Sequence, residues 1–151
     1  MKIYEYQLKA ICVREDAPYA QCSSVAQVVE YMKGAFDERP EQEQIWILHL
    51  NRKNMVKGRQ LLTIGTQNGC MADPALVLRA ALLANASAFI LVHNHPSGDP
   101  APSVNDNMFT RAIRDAAKVV NVQFLDHVVI GDVRSDPMGK GHFSFRDSGM
   151  I

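Results

Sequence analysis

Residues 88–106 read Ala88-Phe89-Ile90-Leu91-Val92-His93-Asn94-His95-Pro96-Ser97-Gly98-Asp99-Pro100-Ala101-Pro102-Ser103-Val104-Asn105-Asp106. The apolar run Ala88 to Val92 reads as a buried strand. Side chains alternate along a strand, so His93 and His95 point to one side. The Pro- and Gly-rich loop that follows turns the chain back. Asp106 then falls in the first turn of a new helix, where it can face the two histidines. Two histidines and a carboxylate, with a fourth position left for water, form the ligand set of a catalytic zinc. His93, His95 and Asp106 are therefore the candidate metal ligands, and one zinc ion per chain is the expected cofactor.

A plainer reading exists for each half of this pattern. A His-x-His at a strand end is more often structural than metal-bound. Ser103-Val104-Asn105-Asp106 is also a capping box, with Ser103 as N-cap and Asp106 at N3. The cap is compatible with the metal, since Ser103 can cap the helix while Asp106 turns to an ion. The conjunction of strand, His-x-His, rigid loop, Ser and Asp favours the metal.

Outward from this stretch, the order of elements reads βαββαβαββ. Residues 2–13 alternate as a strand. Ser23 or Ser24 caps a helix that places Val25, Val28, Val29, Met32 and Phe36 on one face. The polar turn Asp37-Glu38-Arg39-Pro40-Glu41 is the one candidate linker. It makes residues 1–40 a candidate accessory strand and helix ahead of a catalytic core over 41–148. Strands follow at 43–50 and 55–64. Asp73-Pro74 signals a helix to about residue 84, stopped by Asn85. A strand at 87–93, the loop, and a helix over 104–120 come next. That helix turns Phe109, Ala112, Ile113, Ala116, Ala117 and Val120 inward and ends at Asn121. A strand at 122–130 and a last short strand near 142–146 close the chain. The class is α/β (α+β): a mixed sheet flanked by helices, in one domain.

Bulk properties narrow the function. The 151 residues are 47% hydrophobic and 21% charged, with net charge zero and a pI of about 7.0. Non-specific nucleic-acid binders show a basic excess, so direct DNA or RNA binding is not expected. No apolar run approaches the ~20 residues of a membrane span, and no signal peptide is expected. The cysteines Cys12, Cys22 and Cys70 are odd in number and lack CxxC spacing. Neither a disulfide framework nor a cysteine zinc site is expected, and the reading is a cytoplasmic protein.

The segment H-x-H-x7-S-x-x-D matches the JAMM (MPN+) metalloprotease motif at its defining positions, and the wider string HNHPSGDPAPSVND resembles the RadC branch of that superfamily. The resemblance extends over roughly residues 24–148. Glu43-Gln44-Ile45-Trp46-Ile47-Leu48-His49-Leu50-Asn51-Arg52-Lys53-Asn54 is similar to the RadC strand that opens on the catalytic glutamate. Gly65-Thr66, Asp73-Pro74 and Leu125-Asp126-His127-Val128-Val129-Ile130-Gly131 also fit. Asn51 stands where Asp is usual, and Asp73 where His is common; neither is a metal position. The helix-hairpin-helix segment that precedes this domain in longer RadC proteins has no match among the 151 residues.

The resemblance implies a JAB/MPN fold, laid out like the cytidine deaminases. It also implies a zinc metallopeptidase that cleaves an amide bond in a peptide or isopeptide-linked protein. It assigns Glu43 as the general base that takes a proton from water and returns it to the leaving amine. By residues alone, Glu43 sits among clustered acids and reads as solvated; Glu41 is the alternative if the register slips by two. Ser103 is implied as the donor to the oxyanion. Glu43 opens one strand and His93 closes another, so a shared site requires those strands to run in opposite directions.

Smaller candidates remain. Asn94 and Ser97 either orient ligands or substrate or hold the loop's shape. Asp126 and His127 are candidate partners of the metal-bound histidines, although a structural pair with each other is the favoured reading. Trp46 reads as core, and His49 and His142 carry no motif. An HNH nuclease is excluded because its three residues are dispersed. A cupin needs a Glu a few residues after its His-x-His as well as a distant third His, and Asp99 is a poor substitute for that Glu; a zinc deaminase needs H-x-E and PCxxC, which are absent. The alternatives from another class are a DNA-repair-associated interaction module without peptidase activity and a metal-free MPN scaffold.

Overall fold

The computed structural model describes residues 20–65 and 73–151, together with Met1 and Ile3. The strand expected over 2–13, Cys12, Cys70 and Thr66 lie outside the described residues. The described elements are α1 (Val25–Tyr31), β1 (Gln44–Leu50), β2 (Val56–Ile64), α2 (Pro74–Leu83), β3 (Ala88–Asn94), α3 (Val104–Val119), β4 (Gln123–Ile130) and β5 (His142–Ser144). Five strands form one sheet in the order β2-β1-β3-β4-β5.

The central strand explains the topology. Every residue of β3 is buried, as expected of a strand covered on both faces, which reads as an apolar run rather than an alternation. β3 pairs with β4 in parallel. Parallel neighbours need a long crossover, and α3 supplies it. β3 pairs with β1 antiparallel, with Ile45 opposite His93. The opposite strand directions demanded by a shared Glu43–His93 site are therefore present.

Alternation divides the core between the two faces of the sheet. Ile45, Ile47, Phe89 and Leu91 pack with Val77 and Ala81 of α2 and Ile113 and Ala117 of α3. Leu48, Leu50, Ile90, Val92 and Val128 pack with Cys22, Val28 and Met32 around α1. Ile47, Phe89, Leu91 and Ile113 have no exposed surface, and each such side chain stabilises the fold by about 1.5–3 kcal/mol.

Helix ends follow their local chemistry. Asp73 accepts from the Ala75 N–H ahead of Pro74 at the first helical position. Asn85 and Asn121 take positive φ, 47° and 56°, just past the ends of α2 and α3. In each case the next residue's N–H returns to a helix carbonyl: Ala86 to Ala81 at 3.0 Å and Val122 to Ala117 at 3.2 Å. This is the Schellman closure, for which Asn is the usual substitute for Gly.

Two expectations need correction. α1 stops at Tyr31 and does not continue to Phe36. Gly34 adopts φ 76°, which ends the helix, although Phe36 still packs on the α1-side core from the turn. On α3, Ala112 is exposed and Thr110 is buried, because the line facing the sheet runs through Phe109, Thr110, Ile113 and Ala117. Among the described residues, no helix is long and apolar enough to cross a membrane.

Candidate metal centre

His93, the penultimate residue of β3, is fully buried on the face covered by α3. His95 continues the strand direction, and its N–H donates to the Ile130 carbonyl at 2.9 Å. The chain then turns tightly, with Gly98 at φ 85° and its N–H on the His95 carbonyl at 2.9 Å. The Gly98 carbonyl accepts from the Asp132 N–H at 2.7 Å. Gly131 lies against this turn so closely that a Cβ there would fall 2.1 Å from the Gly98 oxygen. Two backbones in contact thus hold the ligand loop from behind.

α3 starts at the same place. Ser103 and Asp106 form the capping box: the Ser103 N–H and Oγ–H both donate to Asp106 Oδ2 at 2.7 Å, and the Asp106 N–H donates to Ser103 Oγ at 3.1 Å. The same carboxylate turns to the histidines. Its Oδ1 lies 3.4 Å from His93 Nε2 and its Oδ2 lies 3.4 Å from His95 Nε2. The two Nε2 atoms are 3.0 Å apart. A tetrahedral ion with bonds of about 2.0–2.1 Å has ligand–ligand edges of about 3.3–3.4 Å, so the three groups are spaced to share one ion. The donor orientation also fits. His95 Nδ1 donates to the Asp99 carbonyl at 2.8 Å, so the neutral ring presents an Nε2 lone pair to the cluster.

Glu43 completes the constellation. One ligand atom from each of Glu43, His93, His95 and Asp106 lies within 4.8 Å of every other, whereas Glu41 is not in the group and is exposed. The Glu43 carbonyl accepts from the Gly65 N–H at 2.7 Å. Asn94 grips the chain on both sides of Glu43: its Oδ1 accepts from the Gln44 N–H at 2.8 Å, and its Nδ2 donates to the Gln42 carbonyl at 3.1 Å. The residue between the two histidines therefore faces away from them and anchors the segment that carries the glutamate.

Burial and charge set the protonation of the group. Burial drives the His93 ring down to about 4, with Asp106 pulling upward and His95 adding to the drop. Burial also pushes His95 down, but the Asp106 hydrogen bond, the Asp99 carbonyl and the Asp106 and Glu43 charges outweigh it, so its pKa is raised. For Asp106, burial pushes upward and is overcome by His95, His93 and Ser103, which hold the carboxyl well below the usual range. The site thus keeps an ionised carboxylate between a neutral buried imidazole and a more basic, half-buried one.

The smaller candidates separate. Asp126 and His127 do not pair through their side chains, because adjacent strand residues face opposite sides of the sheet. Asp126 accepts from Ser144 Oγ at 2.6 Å and the Arg146 N–H at 3.0 Å, away from the metal residues. His127 instead reaches His93, Nε2 to Nδ1 at 2.8 Å, and Thr110 Oγ1 lies 2.7 Å from His127 Nδ1. Thr110 was missed by the sequence reading, although it stands one turn after Asp106 on the same helical face. Ser97 is exposed at the loop tip, and among the described residues no hydrogen bond ties it to the four. Beside His95 lies a groove of about 480 Å³, walled by Met32, Phe36, Pro40, Pro96 and Ile130.

A family model described as RadC-like JAB domain matches residues 22–150. The chain belongs to the RadC-like JAB domain family. Its relatives include a UPF0758 protein of Pelodictyon phaeoclathratiforme, 39% identical over 82% of this chain and 52% of that protein. A UPF0758 protein of Chlorobium phaeovibrioides is 40% identical with the same coverage. A UPF0758 protein of Thermotoga maritima is 39% identical over 74% of this chain and 47% of its own length. This RadC-like JAB domain thus spans about half the length of the curated relatives it matches.

Proposed function

We propose that the chain is a metallohydrolase of the JAMM type, using zinc to cleave an amide bond in a peptide or isopeptide-linked protein. The observation that carries this reading is the convergence of Glu43, His93, His95 and Asp106 within 4.8 Å, from three separate segments of the chain. His93, His95 and Asp106 would hold the ion. When bound, such an ion polarises a carbonyl and lowers the pKa of water from about 15.7 towards 7.

The chain's own residues supply the rest. The Glu43 carboxylate takes a proton from the attacking water as the oxygen–carbon bond forms, and returns it to the nitrogen as the carbon–nitrogen bond breaks. Asn94 holds the backbone around Glu43, so the base is positioned before substrate arrives. Ser103 turns its hydroxyl from Asp106 to the developing oxyanion; a donor in that role contributes about 10²–10³ in rate. Zero net charge fits a protein or peptide substrate better than a nucleic acid.

The test is metal content of the purified protein by elemental mass spectrometry, with His95→Ala, Asp106→Ala and Glu43→Gln beside it. Wild type and Glu43→Gln should carry about one zinc, and the other two variants none. Against a library of peptides and isopeptides, wild type should cleave and Glu43→Gln should not. Wild type that takes up no zinc would leave the interaction-module reading in its place.

A further inference from the structure

The buried face of His93 has a partner of an unusual kind. A metal-bound histidine normally donates its second N–H to a carboxylate, a backbone carbonyl or water. Here His93 Nδ1 meets another imidazole, His127 Nε2, at 2.8 Å, and the far nitrogen of that ring meets Thr110 Oγ1 at 2.7 Å. His93, His127 and Thr110 are all essentially without exposed surface, so no solvent enters the line. Phe145 stacks on the His127 ring at 4.9 Å between centroids, with 10° between planes. Phe109 meets it edge-on at 6.1 Å. The ring cannot swing away to another partner without opening the core.

A neutral imidazole carries one proton, on one nitrogen or the other. The line therefore has two self-consistent settings. In the first, Thr110 Oγ1 accepts from His127 Nδ1–H, His127 Nε2 accepts from His93 Nδ1–H, and His93 Nε2 bears a lone pair. In the second, every hydrogen bond is reversed: Thr110 donates to His127 Nδ1, His127 Nε2–H donates to His93 Nδ1, and His93 Nε2 carries a proton. Only the first leaves His93 able to bind an ion on the side where His95 and Asp106 wait.

We infer that Thr110 and His127 are positioning residues, a buried Thr–His–His line that sets His93 in its Nδ1–H tautomer and so prepares Nε2 as a metal donor. This rests on the metal centre proposed above. Thr110 closes the line: its hydroxyl oxygen gives the buried His127 Nδ1–H an acceptor, and without it the first setting would leave that donor unpaired. Asp106 and Thr110 stand one turn apart on α3, so a single helix supplies both a ligand and the control of another ligand's tautomer.

The experiment uses the full chain, labelled with 15N, with Zn²⁺ as the probe. Long-range 1H–15N correlations should show His93 and His127 both protonated at Nδ1, with His127 Nε2 bare, in the metal-free protein as well as with zinc bound. Zinc affinity, read by competition with a chromogenic chelator, should fall about 10–100-fold in Thr110→Val and return to within a few-fold of wild type in Thr110→Ser. A residue that merely packs would lower the melting temperature in Thr110→Val and leave zinc affinity unchanged. His127 protonated at Nε2 in the metal-free wild type that nonetheless takes up zinc, or undiminished affinity in Thr110→Val, would overturn this inference and leave the metal centre standing. Absence of zinc uptake by wild type would overturn both. If Thr110→Val does not fold, the tautomers of the wild type decide alone.

Discussion

Acidifying the metal-free protein should unfold it well before its carboxylates are neutralised. His93 is held at about 4 against an ordinary value of 6.5, first by burial. His127 is held well below 6.5, again first by burial. A histidine depressed in the fold is protonated first in the unfolded chain. Stability is therefore lost as pH falls through 6.5, and the loss saturates only below the folded value. For His93 the drop from 6.5 to about 4 corresponds to about 3 kcal/mol. His127 adds a loss of the same sign. His95 acts the other way: its raised pKa gives stability that is fully present below 6.5 and is lost as pH rises through the folded value. Asp106, held low, gives stability present above the usual carboxylate value and lost only in stronger acid. Between pH 6.5 and 4 the buried, depressed rings therefore dominate, with His49, also lowered by burial, acting in the same direction as His93 and His127. With a denaturant slope of about 2 kcal/mol per molar urea, His93 alone moves the urea midpoint by about 1.5 M over that window. The assay is urea unfolding of chelator-treated protein at pH steps from 7 to 4.5. A midpoint that stays level across the range would refute the argument, because it would mean the rings accept protons without cost.

Three further predictions follow from other contacts. Zinc affinity should rise about tenfold per pH unit up to the His95 pKa and level off above it, with the break above the ordinary 6.5; titrations at constant free zinc that show a break below 6.5 would contradict the charge balance drawn for that ring. Asn94→Ala frees the Gln44 N–H and the Gln42 carbonyl and should cost about 2 kcal/mol in chemical denaturation, with zinc retained and cleavage reduced as Glu43 loosens; a variant as active as wild type would count against the clamp. Gly131→Ala places a Cβ 2.1 Å from the Gly98 oxygen, so zinc affinity measured by chelator competition should drop by at least tenfold as the ligand loop is pushed aside, whereas unchanged affinity would show that the two backbones part easily.

Much of this architecture was legible from residue order, for local reasons. Asp73-Pro74, Ser103 and Asp106, and Asn85 and Asn121 act within one turn of their own position, so their caps could be read without tertiary knowledge. The run Ala88 to Val92 likewise announced a strand covered on both faces, and His93 and His95 on one side followed from strand alternation. Apart from the early stop of α1, what could not be read depends on contacts between distant segments. Gly34 ends α1 early, although the apolar spacing of Val25 to Phe36 suits a longer helix. Leu125-Asp126-His127 invites a paired reading of its last two residues, yet alternation sends them to opposite faces. Asp126 goes to Ser144 and His127 to His93. Neither the Asn94 clamp nor Thr110 carries a signature of its own; each acquires meaning only when β1, β3 and α3 are brought together.

The antiparallel pairing of Ile45 with His93 makes the candidate site a proofreader of the sheet. Slipping β1 by one residue would turn the segment led by Glu43 to the opposite face. Slipping it by two would carry the carboxylate about 7 Å along the strand. In either case His93, His95 and Asp106 would lose the acid beside them, and Asn94 would lose the two peptide groups it grips. Only one alignment of β1 and β3 satisfies both the polar clamp on one face and the cluster of charges on the other. A chain caught in a wrong alignment would therefore lack the candidate metal centre as a complete four-residue cluster.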